Sequence, residues 1–383
     1  MRKSILVLTA LIIAVTVFAQ HTIKLEIKSL PSYHSPKDFI YAAGSFNGWN
    51  PQDAQYKFQR DDQGNYVLNL QLNPGSYEYK ITRGDWDKVE CKPQGIGVAN
   101  RILKVEGPAT IEVNVEEWQD HFPPLKRTST SSKNVRIMDT AFWMPQLKRK
   151  RRVWIYLPED YATSRKRYPV LYMHDGQNVF DDATSYAGEW GVDEFLDSTK
   201  MKKCIVVGID NGGDKRLNEY CPYDFSLTGI AANNKTNKGE GDLYADFLVK
   251  TLKPFIDKRY RTAKDKKNTF IAGSSMGGLI SLYAVLKYPT VFGGVAVFSP
   301  AFWISGSKIY RDIRKKGKPV RSKIYFLGGK LEGGSMIPDM LKAFQGMAAV
   351  SKSTMTTVIR DEGLHNEATW RKEFPLFYEW LMK

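Results

Sequence analysis

The sequence predicts two folded units, a small all-β sandwich followed by an α/β domain whose mostly parallel sheet is covered by helices on both faces. Three observations carry this prediction. Short strand-like runs follow one another over residues 22–119, the segment 121–134 is rich in Pro, Ser, Thr and Lys, and beyond it apolar runs alternate with amphipathic helical stretches. Continuous apolar strands separated by helices are typical of a parallel sheet buried on both sides.

The first unit is predicted from strand patterns of period two. Residues 65–72 (NYVLNLQL) alternate apolar and polar side chains, residues 75–82 (GSYEYKIT) do so again, and Pro74–Gly75 supplies a turn between them. Short strands separated by turn residues favour an immunoglobulin-like sandwich. We expect this unit to span 20–120 and a linker to span 121–133.

The second unit is expected to occupy residues 134–383. Helical periodicity predicts helices over 242–260, 277–289 and 338–350, with one more at the C-terminus. The apolar runs that predict strands are 152–158, 169–175, 204–210, 268–273, 293–299, 323–329 and 355–361.

The N-terminus has the pattern of a cleaved secretory signal. Residues 1–19 combine Arg2 and Lys3 with an apolar run and end on the small residue Ala19. The run is shorter than the roughly 20 residues that a membrane-spanning helix needs. We expect a mature protein that begins near Gln20 and is secreted or periplasmic, without stable membrane insertion.

The charge of the chain does not by itself indicate a nucleic-acid partner. The formal net charge is +15, but the basic residues are dispersed apart from the block KRKRR at 148–152. That block lies between two strand-like runs, so we interpret it as a solvated hairpin turn.

The sequence contains no motif that indicates a metal site or a bound cofactor. Cys91, Cys204 and Cys221 form no CxxC pair, and Cys204 lies in an apolar run typical of a core strand. A disulfide involving the other two stays open. HExxH, the P-loop and the Rossmann glycine pattern are all missing from the sequence.

A serine between glycines stands at a junction where a nucleophile is expected. GSSMG (273–277) is a Gly-x-Ser-x-Gly motif that follows a predicted strand and precedes a predicted helix. A serine on so sharp a turn presents its hydroxyl at the end of the sheet, and the amides and dipole of the next helix point to the same place. Ser275 is therefore the candidate nucleophile; the alternative is a purely structural turn.

The candidate base is His365. Of the five histidines, only His174 and His365 lie in the α/β region. His365 follows the last predicted strand, which is where the base lies in the chain order Ser, acid, His. His174, at the end of an earlier strand, is interpreted as structural, and a surface-loop role is the alternative for His365.

The acid is expected in the loop after the strand at 323–329. Glu332 comes first in that loop and is the candidate, because a carboxylate there could orient the imidazole. Asp339 competes but lies within the next predicted helix, and Asp361 and Glu362 are lesser alternatives.

Two main-chain amides are expected to stabilise an oxyanion. One is the N–H of Met276, directly after the candidate nucleophile, and the other is that of Gln177 in the loop HDGQN. Gly176 permits an unusual backbone there. The alternative interpretation of this loop is a turn that only ends a strand.

The motifs of the second unit resemble those of the esterase D-type α/β-hydrolases, which include carbohydrate esterase family 1 and the enterochelin-esterase-like enzymes. The resemblance covers roughly 134–383 and rests on YMHDGQNVFD, Trp190, RLNEY, GSSMGG, FSPAFW and GLHNEATW. It implies an α/β-hydrolase fold and ester hydrolysis through an acyl-enzyme, without metal or cofactor. It also implies Ser275 as nucleophile, His365 as base, and Gln177 and Met276 as oxyanion donors. GGKLEGG carries one residue more than a common form of the family's acid motif, so Glu332 matches the acid position of that motif less directly than the other residues match theirs.

The first unit resembles the glycogen-binding-like modules of carbohydrate-binding family 48, through FNGWN and YEYK. The resemblance implies a sugar-binding module, in which Trp86 could stack on a sugar. Trp49 and Trp86 are equally compatible with core or interdomain packing.

Four further residues are candidates for contact with substrate. Trp190, Phe302 and Trp303 could line an acyl or sugar pocket and Arg216 could bind an anionic group, but each is equally well explained by packing.

The leading functional hypothesis is a secreted esterase that removes acetyl or feruloyl groups from plant polysaccharide. Hydrolysis of a catecholate siderophore ester is the alternative within the same chemistry. A carbohydrate-binding protein with a vestigial hydrolase fold is the remote third possibility. The expected partner is an acylated oligo- or polysaccharide, with no nucleic acid; the sequence leaves the oligomeric state open.

Overall fold

The computed structural model describes residues 20–123, 127–226 and 236–383. The predicted signal at 1–19 and part of the predicted linker lie outside them. Among the described residues, no helix is long and apolar enough to cross a membrane. All three cysteines are buried and free, so the disulfide that the sequence left open is not formed.

The first unit is all-β, as the alternating patterns predict. One sheet has the order β3-β4-β1-β9, a second has β2-β5-β8, and a small third has β10-β6-β7. Apolar residues such as Ile23, Leu70 and Ile81 form its core around the buried Trp118. The strands are β1 (His21–Ser29), β2 (Tyr41–Gly44), β3 (Gln59–Arg60), β4 (Tyr66–Leu72), β5 (Gly75–Thr82), β6 (Glu90–Lys92), β7 (Ile96–Gly97), β8 (Arg101–Val105), β9 (Ala109–Asn114) and β10 (Glu117–Trp118).

The second unit is built on an eight-stranded mixed sheet of order β11-β12-β14-β13-β15-β16-β17-β18. The pairs β11–β12 and β12–β14 are antiparallel, and the strands from β14 through β18 are parallel. These strands are β11 (Val135–Met144), β12 (Arg149–Tyr156), β13 (Val170–His174), β14 (Ile205–Ile209), β15 (Thr269–Ser274), β16 (Gly294–Phe298), β17 (Lys323–Gly329) and β18 (Thr354–Arg360).

Helices cover both faces of this sheet, as predicted from the apolar runs. Residues of α1 and α8 pack in the core on one face, and residues of α3 to α7 pack in the core on the other. The helices are α1 (Val192–Ser198), α2 (Arg216–Tyr220), α3 (Gly241–Phe247), α4 (Lys253–Arg259), α5 (Met276–Lys287), α6 (Lys308–Lys316), α7 (Met336–Val350) and α8 (Glu367–Met382).

The block KRKRR lies in a hairpin formed by β11 and β12, as interpreted, but its placement in the solvated turn of that hairpin is wrong for four of its five residues. The turn ends at Lys148, and the other four residues belong to β12. Arg151 is buried, and its Nη2 donates to both carboxylate oxygens of Glu219 (2.7 and 2.8 Å). Arg149 donates to both Glu219 and Glu240. A basic run can enter a sheet in this way because buried carboxylates from distant segments compensate its charge.

Candidate active site

Ser275 stands on a strained turn between β15 and α5. Its φ is 57° and its ψ is −120°, a conformation that non-glycine residues rarely adopt. Its N–H donates to the Phe298 carbonyl (2.9 Å), and its carbonyl accepts from the Ala301 N–H (3.0 Å). These bonds to the segment that ends β16 hold the turn and leave the half-buried side chain at the carboxyl edge of the sheet.

The glycines of the motif are required by close approach. A Cβ on Gly273 would lie 2.8 Å from the Gly277 carbonyl carbon and 2.8 Å from Cδ2 of His174. A Cβ on Gly277 would meet the Cβ of His174 at 3.3 Å. The strand end and the helix start therefore pack against the end of β13 without room for side chains.

Glu332 and His365 form a hydrogen-bonded pair at the same edge. His365 Nδ1 lies 2.7 Å from Glu332 Oε2, and the Glu332 side chain is fully buried while that of His365 is 30% exposed. Glu332 follows β17 and His365 follows β18, and these strands lie parallel to β16 and β15. The carboxyl ends of parallel strands meet at one edge, so both loops lie on the side of the sheet that carries Ser275.

Three residues that were not predicted as site residues hold Glu332 in place, Ser299 and Gly329 by direct hydrogen bonds and Trp370 through Ser299. The Ser299 hydroxyl donates to Glu332 Oε1 (2.7 Å) and accepts from the Trp370 indole N–H (2.9 Å). The Gly329 N–H also donates to Oε1 (2.5 Å). Trp370 in addition packs edge-on against the His365 ring, with centroids 5.2 Å apart. The motifs FSPAFW and GLHNEATW contain Ser299 and Trp370, which is the signal that could have found them.

Two of the competing carboxylates, Asp339 and Asp361, have other partners. Asp339 lies in α7 and accepts from the hydroxyls of Tyr310 (2.8 Å) and Ser335 (2.5 Å). Asp361 forms an exposed ion pair with Lys330 (2.9 Å). Among the described residues, the hydrogen-bond partner of the His365 imidazole is Glu332.

Two backbone amides are available to an oxyanion. Met276 is the first residue of α5, so its N–H has no acceptor within the helix. Gln177 lies in the turn Gly176–Asn178 that follows β13, and the turn begins after Asp175 in a left-handed conformation. Within the described part of the chain neither the Met276 nor the Gln177 N–H has a hydrogen-bond acceptor. The loop after β13 lies close to the start of α5, because a Cβ on Gly277 would be 3.5 Å from Asp175 Oδ2.

A buried polar network supports this loop. Asp175 binds Arg216 through two hydrogen bonds of 2.6 and 2.9 Å and also accepts from Asn211 (2.8 Å). His174 Nδ1 lies 3.0 Å from the Tyr244 hydroxyl, and burial lowers the pKa of His174 to about 4. His174 is thus a neutral residue inside the domain, consistent with its interpretation as structural.

The four candidate substrate contacts separate into distinct environments. Phe302 is fully buried against Tyr310, and Trp190 is a core residue that stacks on Phe298 with centroids 5.4 Å apart, so both side chains take part in packing. Arg216 is engaged with Asp175. Trp303 is 51% exposed and remains the candidate that a ligand could reach.

In the first unit, the two tryptophans of interest form a pair. The rings of Trp49 and Trp86 lie with centroids 6.2 Å apart, tilted by 40°, and both side chains are half-buried. They pack on one another at the surface of their own unit. Sugar stacking by this pair stays a prediction.

Comparison with protein-family models matches both units. The Esterase family model matches residues 145–376, and the Pullulanase X25 domain model matches residues 35–119. The first match covers the elements that carry Ser275, Glu332 and His365.

Individual proteins show the same division. The uncharacterized protein YbbA of Bacillus subtilis is 24% identical over 240 residues, which are 60% of this chain and 92% of that protein. An endo-1,4-β-xylanase/feruloyl esterase of Xylanibacter ruminicola is 28% identical over 353 residues, which are 83% of this chain but 43% of that protein. The enterobactin esterase FES of Shigella flexneri, whose crystal structure contains enterobactin, is similar in fold with a TM-score of 0.55 and 18% identity, covering 94% of this chain and 92% of that one.

Proposed function

Because the chain belongs to the Esterase family, we propose that it hydrolyses carboxylic esters with Ser275 as nucleophile and through an acyl-enzyme. The observation that carries the proposal is the pair His365–Glu332, 2.7 Å apart, on loops at the edge of the sheet where Ser275 follows β15. A histidine held by a buried carboxylate, at the sheet edge that carries a half-buried serine, is the arrangement that activates a hydroxyl.

In the proposed acylation step, His365 Nε2 takes the proton of the Ser275 hydroxyl as Oγ attacks the ester carbonyl carbon. Glu332, buried and bound to Nδ1, keeps the other ring nitrogen protonated and stabilises the imidazolium. No hydrogen bond between Ser275 Oγ and His365 is present among the described residues, and such contacts commonly tighten when substrate binds.

As the tetrahedral intermediate forms, its oxyanion is bound by the N–H groups of Met276 and Gln177. The N-terminus of α5 adds its positive dipole end. His365 then protonates the leaving alcohol, and water attacks the acyl-Ser275 with His365 again acting as base, which releases the carboxylic acid.

We propose acylated plant polysaccharide as the substrate class, with acetyl or feruloyl groups removed. The support is the combination of units: residues 35–119 match the Pullulanase X25 domain model, and the match to the xylanase/feruloyl esterase runs through both units. The chain spans less than half of that relative's length, so its activity is carried over as a proposal. Export, through cleavage after residues 1–19, belongs to the same proposal, as do a β module at 20–120 and an esterase domain at 134–383.

Hydrolysis of a siderophore ester is the second candidate. The net charge of +15 favours an anionic catecholate ligand, and the enterobactin esterase of similar fold aligns along nearly the whole chain. A substrate panel separates the two candidates. Release of ferulate or acetate from xylo-oligosaccharides supports the first, and cleavage of a ferric catecholate trilactone without action on acyl-sugars supports the second.

The first test is a burst experiment. Wild-type protein mixed with p-nitrophenyl acetate should release about one equivalent of p-nitrophenol per protein before the slower steady state, since acylation precedes deacylation. Ser275→Ala should abolish the burst and lower kcat by about 10⁴-fold or more.

Ser274→Ala is the matched control, because it alters the neighbouring serine of the same turn. It should retain the burst. Equal bursts in the wild type and Ser275→Ala would refute Ser275 as the nucleophile.

A further inference from the structure

Three carboxylates meet at a place that the proposed chemistry does not use. Glu189 precedes α1, and Asp193 and Glu194 lie in its first turn. Each offers a carboxylate oxygen, and these oxygens all lie within 4.8 Å of one another. The cluster is separate from the pair Glu332–His365.

Burial makes this cluster costly without a partner. Glu189 is 4% exposed and Asp193 is fully buried. Each of the three residues has one buried oxygen without a hydrogen-bond partner, namely Glu189 Oε2, Asp193 Oδ1 and Glu194 Oε2. Unpaired carboxylate oxygens removed from water destabilise a fold unless a proton or a cation compensates them.

The protein's own groups compensate the cluster only in part. Arg371 of α8 lies 3.3 Å from Glu189 Oε1 and 3.6 Å from Glu194 Oε1. The Ser132 N–H donates to Asp193 Oδ2 (2.7 Å). One arginine against three carboxylates leaves about two negative charges when all three are ionised.

We propose that Glu189, Asp193 and Glu194 form a calcium-binding site. All the side-chain ligands are hard oxygens, which Ca²⁺ prefers, and two oxygens on one Ca²⁺ are separated by at most about 5 Å. Mg²⁺ fits less well, because it requires a smaller octahedron and keeps most of its waters. Water would complete the coordination sphere.

Such an ion would join three segments of the chain. Through Asp193 it would hold Ser132, close to the start of β11, and through Arg371 it would sit beside α8, which follows His365. The site is thus structural and stabilises the packing of α1 and α8 against the segment that leads from the first unit.

The test is direct calcium binding. After EDTA treatment and gel filtration, the full chain is titrated with CaCl₂ by isothermal calorimetry, with MgCl₂ in parallel. We expect one saturable Ca²⁺ site, weaker Mg²⁺ binding, and a rise in Tm of roughly 4–8 °C at a hundredfold excess of Ca²⁺ over Kd. Absence of saturable Ca²⁺ binding to the wild type would overturn the proposal, whatever the variants do.

Two variants locate the site. Asp193→Asn and Glu194→Gln keep the side-chain shapes and should weaken Ca²⁺ binding at least tenfold. Asp181→Asn is the matched control, because Asp181 accepts from Ser129 and Thr130 in the same segment without belonging to the cluster. It should leave Ca²⁺ affinity unchanged. Unaltered binding in both cluster variants, or a loss confined to Asp181→Asn, would refute the assignment.

Discussion

At the scale of single residues, the candidate site depends on how the Glu332 carboxylate is held. One of its oxygens accepts from Ser299 and Gly329, which leaves the other for His365. This division is what orients the imidazole, because a carboxylate free to rotate would not select one ring nitrogen. The same division makes the role of Glu332 testable with an isosteric substitution.

Glu332→Gln should lower kcat by about 10³–10⁴-fold with little change in Tm. The amide oxygen can still accept from Ser299 and Gly329, but its NH₂ group then faces His365 Nδ1 and forces that nitrogen to accept. The proton moves to Nε2, and the base toward Ser275 is lost. Steady-state kinetics on p-nitrophenyl acetate measures the effect.

The matched control is Asp339→Asn, which alters the competing carboxylate. The Asp339 carboxylate accepts from the hydroxyls of Tyr310 and Ser335 and does not contact His365. Its replacement by an amide should therefore change kcat less than threefold. A larger loss in Asp339→Asn than in Glu332→Gln would assign the acid to Asp339.

The buried His174 should make the free energy of unfolding depend on pH. Its pKa is lowered to about 4 by burial, so the unfolded chain, with an ordinary histidine pKa of about 6.5, binds the proton more readily. Stability is therefore lost as the pH falls from about 6.5 towards 4. Urea unfolding of His174→Gln should show a decrease between pH 7 and pH 5 that is about 2 kcal/mol smaller than in the wild type. An unchanged decrease would show that His174 does not contribute.

At the scale of elements, the junction of β15 and α5 combines a strained serine with two glycines that admit no side chain. The strain at Ser275 persists because Phe298, at the end of β16, and Ala301, shortly after it, bind the turn. The position of the candidate nucleophile is thus set by packing between elements as well as by the local motif.

Gly273→Ala should destabilise the esterase domain and reduce activity together. The added methyl group would overlap the Gly277 backbone and the His174 ring, at a cost of about 1–3 kcal/mol. A displacement of Ser275 by about 1 Å would lower kcat by about 10²-fold. Thermal unfolding and kinetics measure the two effects.

Gly97→Ala is the control for this substitution, because a Cβ there has no atom within 4 Å. It should change neither Tm nor kcat. Wild-type kinetics in Gly273→Ala would show that the turn tolerates a side chain and that the close approach is not required.

At the scale of the whole molecule, the first unit touches the loop that carries the candidate acid. Ser76, in β5, lies against Gly333, the residue directly after Glu332. The segment 73–77 and residues of the loop 329–338 together line a cavity of about 550 Å³. The first unit can therefore affect the position of Glu332 through this backbone contact.

Gly333→Ala should lower kcat about tenfold or more. Its methyl group would collide with the Ser76 carbonyl and displace the loop that carries Glu332. Gly334→Ala is a close control. Both glycines have positive φ, 70° and 55°, but a Cβ on Gly334 has no atom within 4 Å. Equal losses of activity in the two variants would attribute the effect to backbone strain and not to the contact between units.

The sequence patterns predicted most of what positions this site, and their failures have a common cause. Periodicity placed the strands and helices around Ser275, because alternation and helical repeat depend on local geometry alone. The basic block at 148–152 was wrongly placed in a turn, because the ion pairs that hold it in the sheet, with Glu219 and Glu240, join residues far apart in the chain. Ser299 and Trp370 were not predicted as site residues for a similar reason. The hydrogen bonds from Ser299 to Glu332 and from Trp370 to Ser299 also join residues far apart in the chain.

By itself, the sequence determined the all-β and α/β character of the two units and the position of Ser275 between a strand and a helix. Only the tertiary structure decided that Glu332, 33 residues before His365, is the carboxylate that faces it. Only the tertiary structure likewise placed Phe302 in the core and gathered the cluster around Asp193. Local patterns follow from neighbouring residues, whereas these arrangements depend on how distant elements pack.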